Sequence, residues 1–368
     1  MILKVFSFFS GSGFLDLGFE KCGFLIELVN EYSKAFIDAY KYSREKMGLR
    51  VPKYGYSNID INEYLGNRSI ELRNYIEDAK REECLIGFIG GPPCPDFSVA
   101  GKQRGRNGDN GRLSLSYVRL IIEQHPDFFL FENVKGLWKT AKHREFYEEL
   151  KKMLFEAGYF LTDRLTNAIE FGAPQDRERI LLFGVSKSLY PSESNNPLVA
   201  FPWQKYIRYT LPDIKAISWP TTSPFLENNV TECPASVPRE LTVQYWFEKN
   251  DVENHPNCSD CFVPRSGITK MVSVAEGDDS KKSYKRLHRW RYSPTVAYGN
   301  NEVHLHPYKA RRLTVSEALA LQSLPKEFSL PPFMSLTDKF KTTGNGVPFL
   351  LSKGIAQTIS DYLKGAIR

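Results

Sequence analysis

Leu85-Ile-Gly-Phe-Ile-Gly-Gly91, running straight into Pro92-Pro-Cys-Pro-Asp-Phe-Ser98, is the stretch on which the fold turns. The apolar run 85–91 has the length of a buried strand. Prolines cannot continue a strand ladder, so Cys94 is expected at that strand's C-terminal edge. In an open α/β sheet this edge is where ligands bind. A thiol there, beside a loop of glycines and arginines, points to a nucleophile acting on a polyanion. A free Cys is more commonly a small buried hydrophobe, and the peptide alone leaves both readings open.

Outward from this stretch, strand-like and helix-like segments alternate. Val5–Phe9 is a short apolar run ending in Ser10-Gly11-Ser12-Gly13, after which Phe14, Leu17, Phe19 and Cys22 fall at helical spacing. Phe24–Asn30 is predicted as a second strand closed by Glu31, and Ser33–Lys46 as a helix. Ile59 and Ile61 flank Asp60 in a third, short strand. Ser69–Arg81 is a charged helix, Phe128–Val134 a strand, His143–Ala157 a helix stopped by Gly158, and Arg179–Ser186 the last strand. The alternation predicts an α/β fold with a doubly wound, mostly parallel sheet. From residue 187 to 308 the chain turns to Pro, Asn, Ser, Trp and Tyr with little periodicity. That segment is expected to be an inserted, smaller domain of irregular or β structure. Helical periodicity returns at Thr314–Ser323, where Glu317 three residues after Thr314 is a capping-box spacing, and at Ser352–Leu363.

The bulk numbers allow this architecture. A chain of 368 residues, 42% hydrophobic and 25% charged, can bury a large core without disulfides. The formal charge of +6 suits a polyanionic partner. Six scattered cysteines fit a reducing compartment. The absence of a signal-peptide pattern and of an apolar run near 18 residues leads us to expect a cytoplasmic protein, a monomer, with no membrane partner.

Several motifs carry chemistry. Phe9-Ser-Gly11-Ser-Gly13, between strand and helix, lets a ligand approach the backbone and offers free N–H groups. Glu31, ending the second strand, is placed to bridge two ribose hydroxyls. Tyr32 could lie on a purine face, and Asp60 could accept from an exocyclic amine. Singly, each is an ordinary solvated group; in order, at three successive strand ends, they form a nucleotide-like site. Glu132 ends an apolar run beside the Cys94 strand. In Gln175-Asp-Arg177-Glu-Arg179 the two arginines share a face if the segment is extended, suited to phosphate or to holding Glu132. The bland alternative is a polar strand start.

Taken together, Phe9-x-Gly-x-Gly13, Pro93-Cys94-x-x-Phe97-Ser98, Glu132-Asn133-Val134, Gln175-x-Arg177-x-Arg179, Arg311-x-Leu313-Thr314-x-x-Glu317 and Gly344-Asn345-x-Val347 make the chain resemble a DNA (cytosine-5) methyltransferase of bacterial restriction–modification type. The resemblance covers nearly the whole chain. It implies a Rossmann-like methyltransferase domain from 1–186 and 309–368, and a target-recognition domain at 187–308. It implies S-adenosylmethionine as cofactor, double-stranded DNA as substrate, and a cognate restriction endonuclease as a partner on the same site; an orphan enzyme fits equally. By position, Cys94 becomes the nucleophile, and Glu132, with Arg177 and Arg179, handles a flipped-out cytosine. Phe9, Gly11, Gly13, Glu31, Tyr32, Asp60 and Ile61 line the donor pocket, which Asn345 and Val347 close. There are two departures. Phe14 stands where many members have a second glycine, and Pro95 where Gln is common.

The loop Val99–Leu113 carries Lys102, Arg104, Arg106 and Arg112 among four glycines. With Ser98 it is expected to contact DNA and to close over the flipped base. Lys281–Tyr292 holds six Lys or Arg and no acid. Such a run is commonly a solvated face, but here Lys285, Arg286 and Arg289 are expected to meet phosphate. His255-x-x-Cys258-x-x-Cys261 has zinc-like spacing; reduced thiols are the expected state, and no metal is assigned. Two rival functions remain: a tRNA methyltransferase of the same family, and a non-catalytic DNA-binding module, against which the intact Cys94, Glu132 and Arg177/Arg179 set argues.

Overall fold

A computed structural model describes residues 1–93, 109–190, 195–263, 268–281, 283–295, 298 and 303–366. Seven strands form one sheet: β1 (Ile2–Phe8), β2 (Leu25–Asn30), β3 (Tyr56–Ser57), β4 (Cys84–Gly90), β5 (Phe128–Val134), β6 (Tyr159–Asn167) and β7 (Glu178–Ser186). Their order is β3-β2-β1-β4-β5-β7-β6. The pairs through β5 are parallel, and β7 runs antiparallel to both β5 and β6. The sheet is therefore doubly wound and mostly parallel, as the alternation predicts. Chain order reverses between β1 and β4, so the ligand crevice of such a sheet lies above their C-terminal ends.

Strand alternation sorts the core into two layers. Leu3, Val5, Ile89, Phe128 and Leu130 face the helices α1 (Phe14–Glu20) and Phe349–Ala366, with Phe19, Leu351, Ile355 and Ile359 filling that side. Phe6, Phe8, Ile86, Phe88, Phe129 and Phe131 face the other side. There they meet Leu72 and Ile76 of helix Ser69–Ala79, Tyr117 and Ile121 of helix Asp109–Gln124, and Leu150 and Leu154 of helix Ala141–Glu156. This two-residue period with apolar side chains on both faces is what a sheet covered on both sides requires.

Two local expectations change. Asp60 is not in a strand. Its side chain accepts from Asn62 N at 2.8 Å and caps a 3-10 helix, Ile61–Leu65; a short acidic side chain favours this cap over a ladder position. Strand β6 was not anticipated, because Thr162-Asp-Arg-Leu165 is polar and half-buried on the sheet's edge. Between residues 195 and 308 the described elements are short. The α-helices described there run five to seven residues, the 3-10 helices three or four, and the two-residue strand Lys285–Arg286 pairs with His304–Leu305. No helix among the described residues is long and apolar enough to cross a membrane.

Candidate active site

The turn after β1 builds one side of the crevice. Phe9, Gly11 and Gly13 all have positive φ, at 52°, 55° and 80°. A Cβ on Gly13 would lie 2.5 Å from the Tyr40 ring, so this position excludes a side chain on both counts. A Cβ on Gly11 would meet nothing within 4 Å, so open space faces that backbone. Glu31, just past β2, braces the turn. One carboxylate oxygen accepts Gly11 N at 2.8 Å and the other Ser33 N at 2.7 Å. Burial raises its pKa, opposed by those two N–H groups. Asn30 ties the end of β2 to the carbonyls of Ser57 and Ile59, bringing Asp60 alongside. Tyr32 is 74% exposed, its ring open to a ligand. Ile61 and Val347 are buried in the two core layers, so they support the pocket's floor. Asn345 ends helix Leu336–Asn345 and is exposed. The open space at Gly11, the braced carboxylate and the exposed ring fit a nucleoside-bearing donor.

Beneath this turn lies a charged platform that the sequence did not reveal. The buried Arg44 donates to Gly13 O at 2.6 Å and pairs with Glu20 at 2.8 Å, while Tyr40 OH donates to Asp16 at 3.0 Å. Desolvation raises the Asp16 pKa from 3.8 to about 6 against the pull of Arg44. The folded chain thus holds a proton between about pH 4 and 6 that the unfolded chain has released. Stability from this group falls as pH rises through that window, and the penalty persists above it. Asp16→Asn is expected to flatten that slope and to stabilise the fold at pH 7 by about 2–3 kcal/mol. Urea unfolding at pH 4.5 and 7 checks this, and an unchanged slope would refute it.

Across the switch point stands Glu132, near the C-terminal end of β5. It is buried, and Arg179 Nε of β7 pairs with its Oε1 at 2.7 Å. Antiparallel pairing sets Glu132 opposite Leu181 and Val134 opposite Arg179, which brings the two side chains to one sheet end. Burial pushes the Glu132 pKa up; Arg179 and Arg177 oppose without cancelling it. A Cβ on Gly91 would sit 2.4 Å from Glu132 Oε2, so the strand that leads to Cys94 passes against this carboxylate. Asn133, whose role the sequence left unassigned, donates to Pro92 O at 3.4 Å and accepts from Val134 N. It thereby ties β5 to the residues that lead to Cys94. Cys94 itself lies outside the described residues, as do Ser98, Lys102, Arg104 and Arg106.

Arg177 lies close enough to Glu132 for its charge to act on that carboxyl. It precedes β7, fixed by its N–H to Asn167 Oδ1, and its guanidinium reaches Gly344 O at 2.8 Å. Burial lowers its pKa well below the usual arginine value, with Arg179 adding to the effect. The base side of the site is thus linked to the residue before Asn345. The Arg311…Glu317 motif is a lock: Arg311 binds both Glu317 oxygens, at 2.8 and 2.7 Å, while Glu317 and Thr314 complete the expected capping box.

Arg286 and Arg289 correct the expectation of phosphate contact. Arg286 is fully buried, donating to the carbonyls of Met271, Val274, His306 and Lys309. Arg289 is 3% exposed and binds Glu276 through Nε and Nη2, both at 2.8 Å. A buried guanidinium needs this many acceptors, and these two find them inside the chain. Lys285 is half-buried and Arg112 is exposed. His255 uses both ring nitrogens internally: Nδ1 accepts Asn257 N, so Nε2 donates to Phe328 O. Among the described residues no three His, Cys, Asp or Glu side chains gather to hold a metal ion.

Comparison with known proteins follows the same lines. A model of C-5 cytosine-specific DNA methylases matches residues 3–361. The Type II methyltransferase M.NmeDI of Neisseria meningitidis serogroup C is 55% identical over 361 residues, covering 98% of this chain and 84% of its own. M.FnuDI of Fusobacterium nucleatum is 30% identical over 373 residues, with 98% and 96% covered. Among solved structures, a DNA modification methyltransferase encoded within an E. coli prophage shares the fold, with a TM-score of 0.67 at 22% identity over 98% of this chain and 99% of that one.

Proposed function

The chain belongs to the family of C-5 cytosine-specific DNA methylases, and on that premise we propose that it transfers a methyl group from S-adenosylmethionine to carbon 5 of a cytosine flipped out of duplex DNA, with Cys94 as nucleophile. It is a DNA methyltransferase of restriction–modification type. The observation that carries the finer reading is the seat of Glu132, paired to Arg179 and pressed against Gly91. Cys94 lies three positions after Gly91, a reach of at most about 11 Å. In this reading thiol and carboxyl serve one pocket.

Carbon 5 of cytosine is a poor nucleophile. Addition of the Cys94 thiolate to carbon 6 turns the ring into an enamine that is nucleophilic at carbon 5. Charge then develops on the ring, and Glu132 in its protonated form neutralises it at N3. The upward shift of its pKa favours that form. Arg179 orients Glu132 and offers positive charge toward O2. Loss of the C5 proton expels the thiolate, a good leaving group. When bound, the donor supplies an electrophilic methyl on a sulfonium sulfur. Phe9, Gly11, Gly13, Glu31, Tyr32, Asp60 and Asn345 would hold it, over Ile61 and Val347. Arg177, through Gly344 O, keeps Asn345 in register with the base side.

The substrate must leave the stack, at a cost of roughly a few kcal/mol. The loop bearing Ser98, Lys102, Arg104 and Arg106, with Arg112 and Lys285, supplies the phosphate contacts in this reading. Residues 187–308 serve as the target-recognition domain on a catalytic domain of 1–186 and 309–368. The setting we propose is a cytoplasmic monomer acting beside a cognate endonuclease.

Labelled S-adenosylmethionine offered with mixed duplex DNA and with tRNA tests the reading. The expected product is 5-methylcytosine in DNA, identified by mass. Label confined to tRNA would sink it.

A further inference from the structure

Phe14 departs from the glycine that many family members carry directly after the position of Gly13, and the structure gives that departure a partner. The Phe14 ring is 2% exposed and stands edge-on to Phe328, with centroids 5.1 Å apart. A Cβ on Gly346 would lie 2.0 Å from Phe14 Cδ2 and 2.6 Å from Cε2. The ring thus packs against the bare backbone that directly follows Asn345. Beside it Ser12 Oγ and Thr342 Oγ1 are 2.7 Å apart. Ser12 of the turn after β1 and Phe14 at the start of α1 therefore grip the end of helix Leu336–Asn345, more than 300 residues away in the chain.

We propose that Phe14 and Gly346 are a matched pair of positioning residues for the methyl donor, a proposal that rests on the function read above. The ring fixes the separation between the Phe9–Gly13 turn and Asn345, the two walls of the donor pocket. A pocket whose walls are set before the ligand arrives loses less freedom on binding. Neither residue needs to touch the reacting atoms. Gly346 is glycine because the ring occupies the space of a side chain, and Phe14 is tolerated because Gly346 has none.

Three variants of the full chain test this: Gly346→Ala, Phe14→Leu and Phe14→Ala/Gly346→Ala. The readouts are S-adenosylhomocysteine binding by calorimetry, KM for donor and for DNA, kcat at saturating donor, and thermal midpoint. The methyl of Gly346→Ala collides with a well-packed ring, so S-adenosylhomocysteine affinity should fall, and donor KM rise, about tenfold. KM for DNA and kcat should stay within about threefold, since the base side is untouched. Phe14→Leu should show the same split more weakly, and provides the reading if Gly346→Ala does not fold. The double variant vacates the space the methyl enters and should recover at least half of the lost affinity on a logarithmic scale. Wild-type-like binding by Gly346→Ala overturns the proposal. So does a loss in the double variant as large as in Gly346→Ala, or a parallel fall of kcat and both affinities with the thermal midpoint. A wild type that does not bind S-adenosylhomocysteine overturns the donor reading itself, a separate and recognisable result.

Discussion

Cys94→Ala is expected to abolish methyl transfer, lowering the rate by roughly four orders of magnitude or more, while duplex and donor binding should survive within a few-fold. In the proposed mechanism the thiolate is what activates carbon 5; what would remain is binding, which that side chain is not asked to supply. The covalent step makes a second, sharper test available. With fluorine in place of hydrogen at carbon 5 of the target cytosine there is no proton to lose, so the thiolate cannot be expelled. A duplex carrying that base, incubated with donor, should yield a protein–DNA adduct stable to denaturing electrophoresis with the wild type and none with Cys94→Ala. An adduct that persists in the variant would place the nucleophile elsewhere. Cys22, Cys84, Cys233 and Cys261 are poor substitutes, since burial raises each of their pKa values, and the thiolate is the attacking species.

The fold was legible because apolar period and punctuation agree. Phe128–Val134 is the predicted strand to the residue, and the Thr314–Glu317 spacing is the capping box it suggested. The strand ends that carry Glu31 and Glu132 follow from the same signals. What escaped the sequence depends on contacts at long separation. A run of six cations looks solvated until the carbonyls of Met271, Val274, His306 and Lys309 close around Arg286. Two flanking isoleucines suggest a strand at Asp60, but its carboxylate accepts from the backbone N–H two residues on. Asp16 and Arg44 form their platform across one strand–helix unit, and neither carries a motif. Phe14 stood out in sequence only as a departure; its meaning required Gly346.

Glu132→Gln should reduce kcat by roughly two to four orders of magnitude, the range for loss of a positioned proton donor. Glutamine keeps the shape of a protonated carboxyl and its pattern of one donor toward N3 and one acceptor for the exocyclic amine, so the flipped base should still bind. What it cannot do is give up a proton. It also preserves an acceptor for Arg179, whereas Glu132→Ala would remove the carboxylate that faces that guanidinium, a loss of up to roughly 3–5 kcal/mol in stability. The pH profile separates proton supply from hydrogen bonding. In the proposed mechanism the wild-type rate should follow the product of ionised Cys94 and protonated Glu132. It therefore rises with pH while one condition is being met and falls when the other fails, whichever group has the lower pKa. Burial, by raising the Glu132 pKa, widens the range over which both forms coexist. In Glu132→Gln only the thiolate condition is left, so the fall at high pH should vanish and the rate should climb to a plateau. A variant that keeps a near-wild-type rate, or retains the alkaline fall, would show that Glu132 holds the base without delivering a proton, and that the charge developed on the ring is met by Arg179 alone.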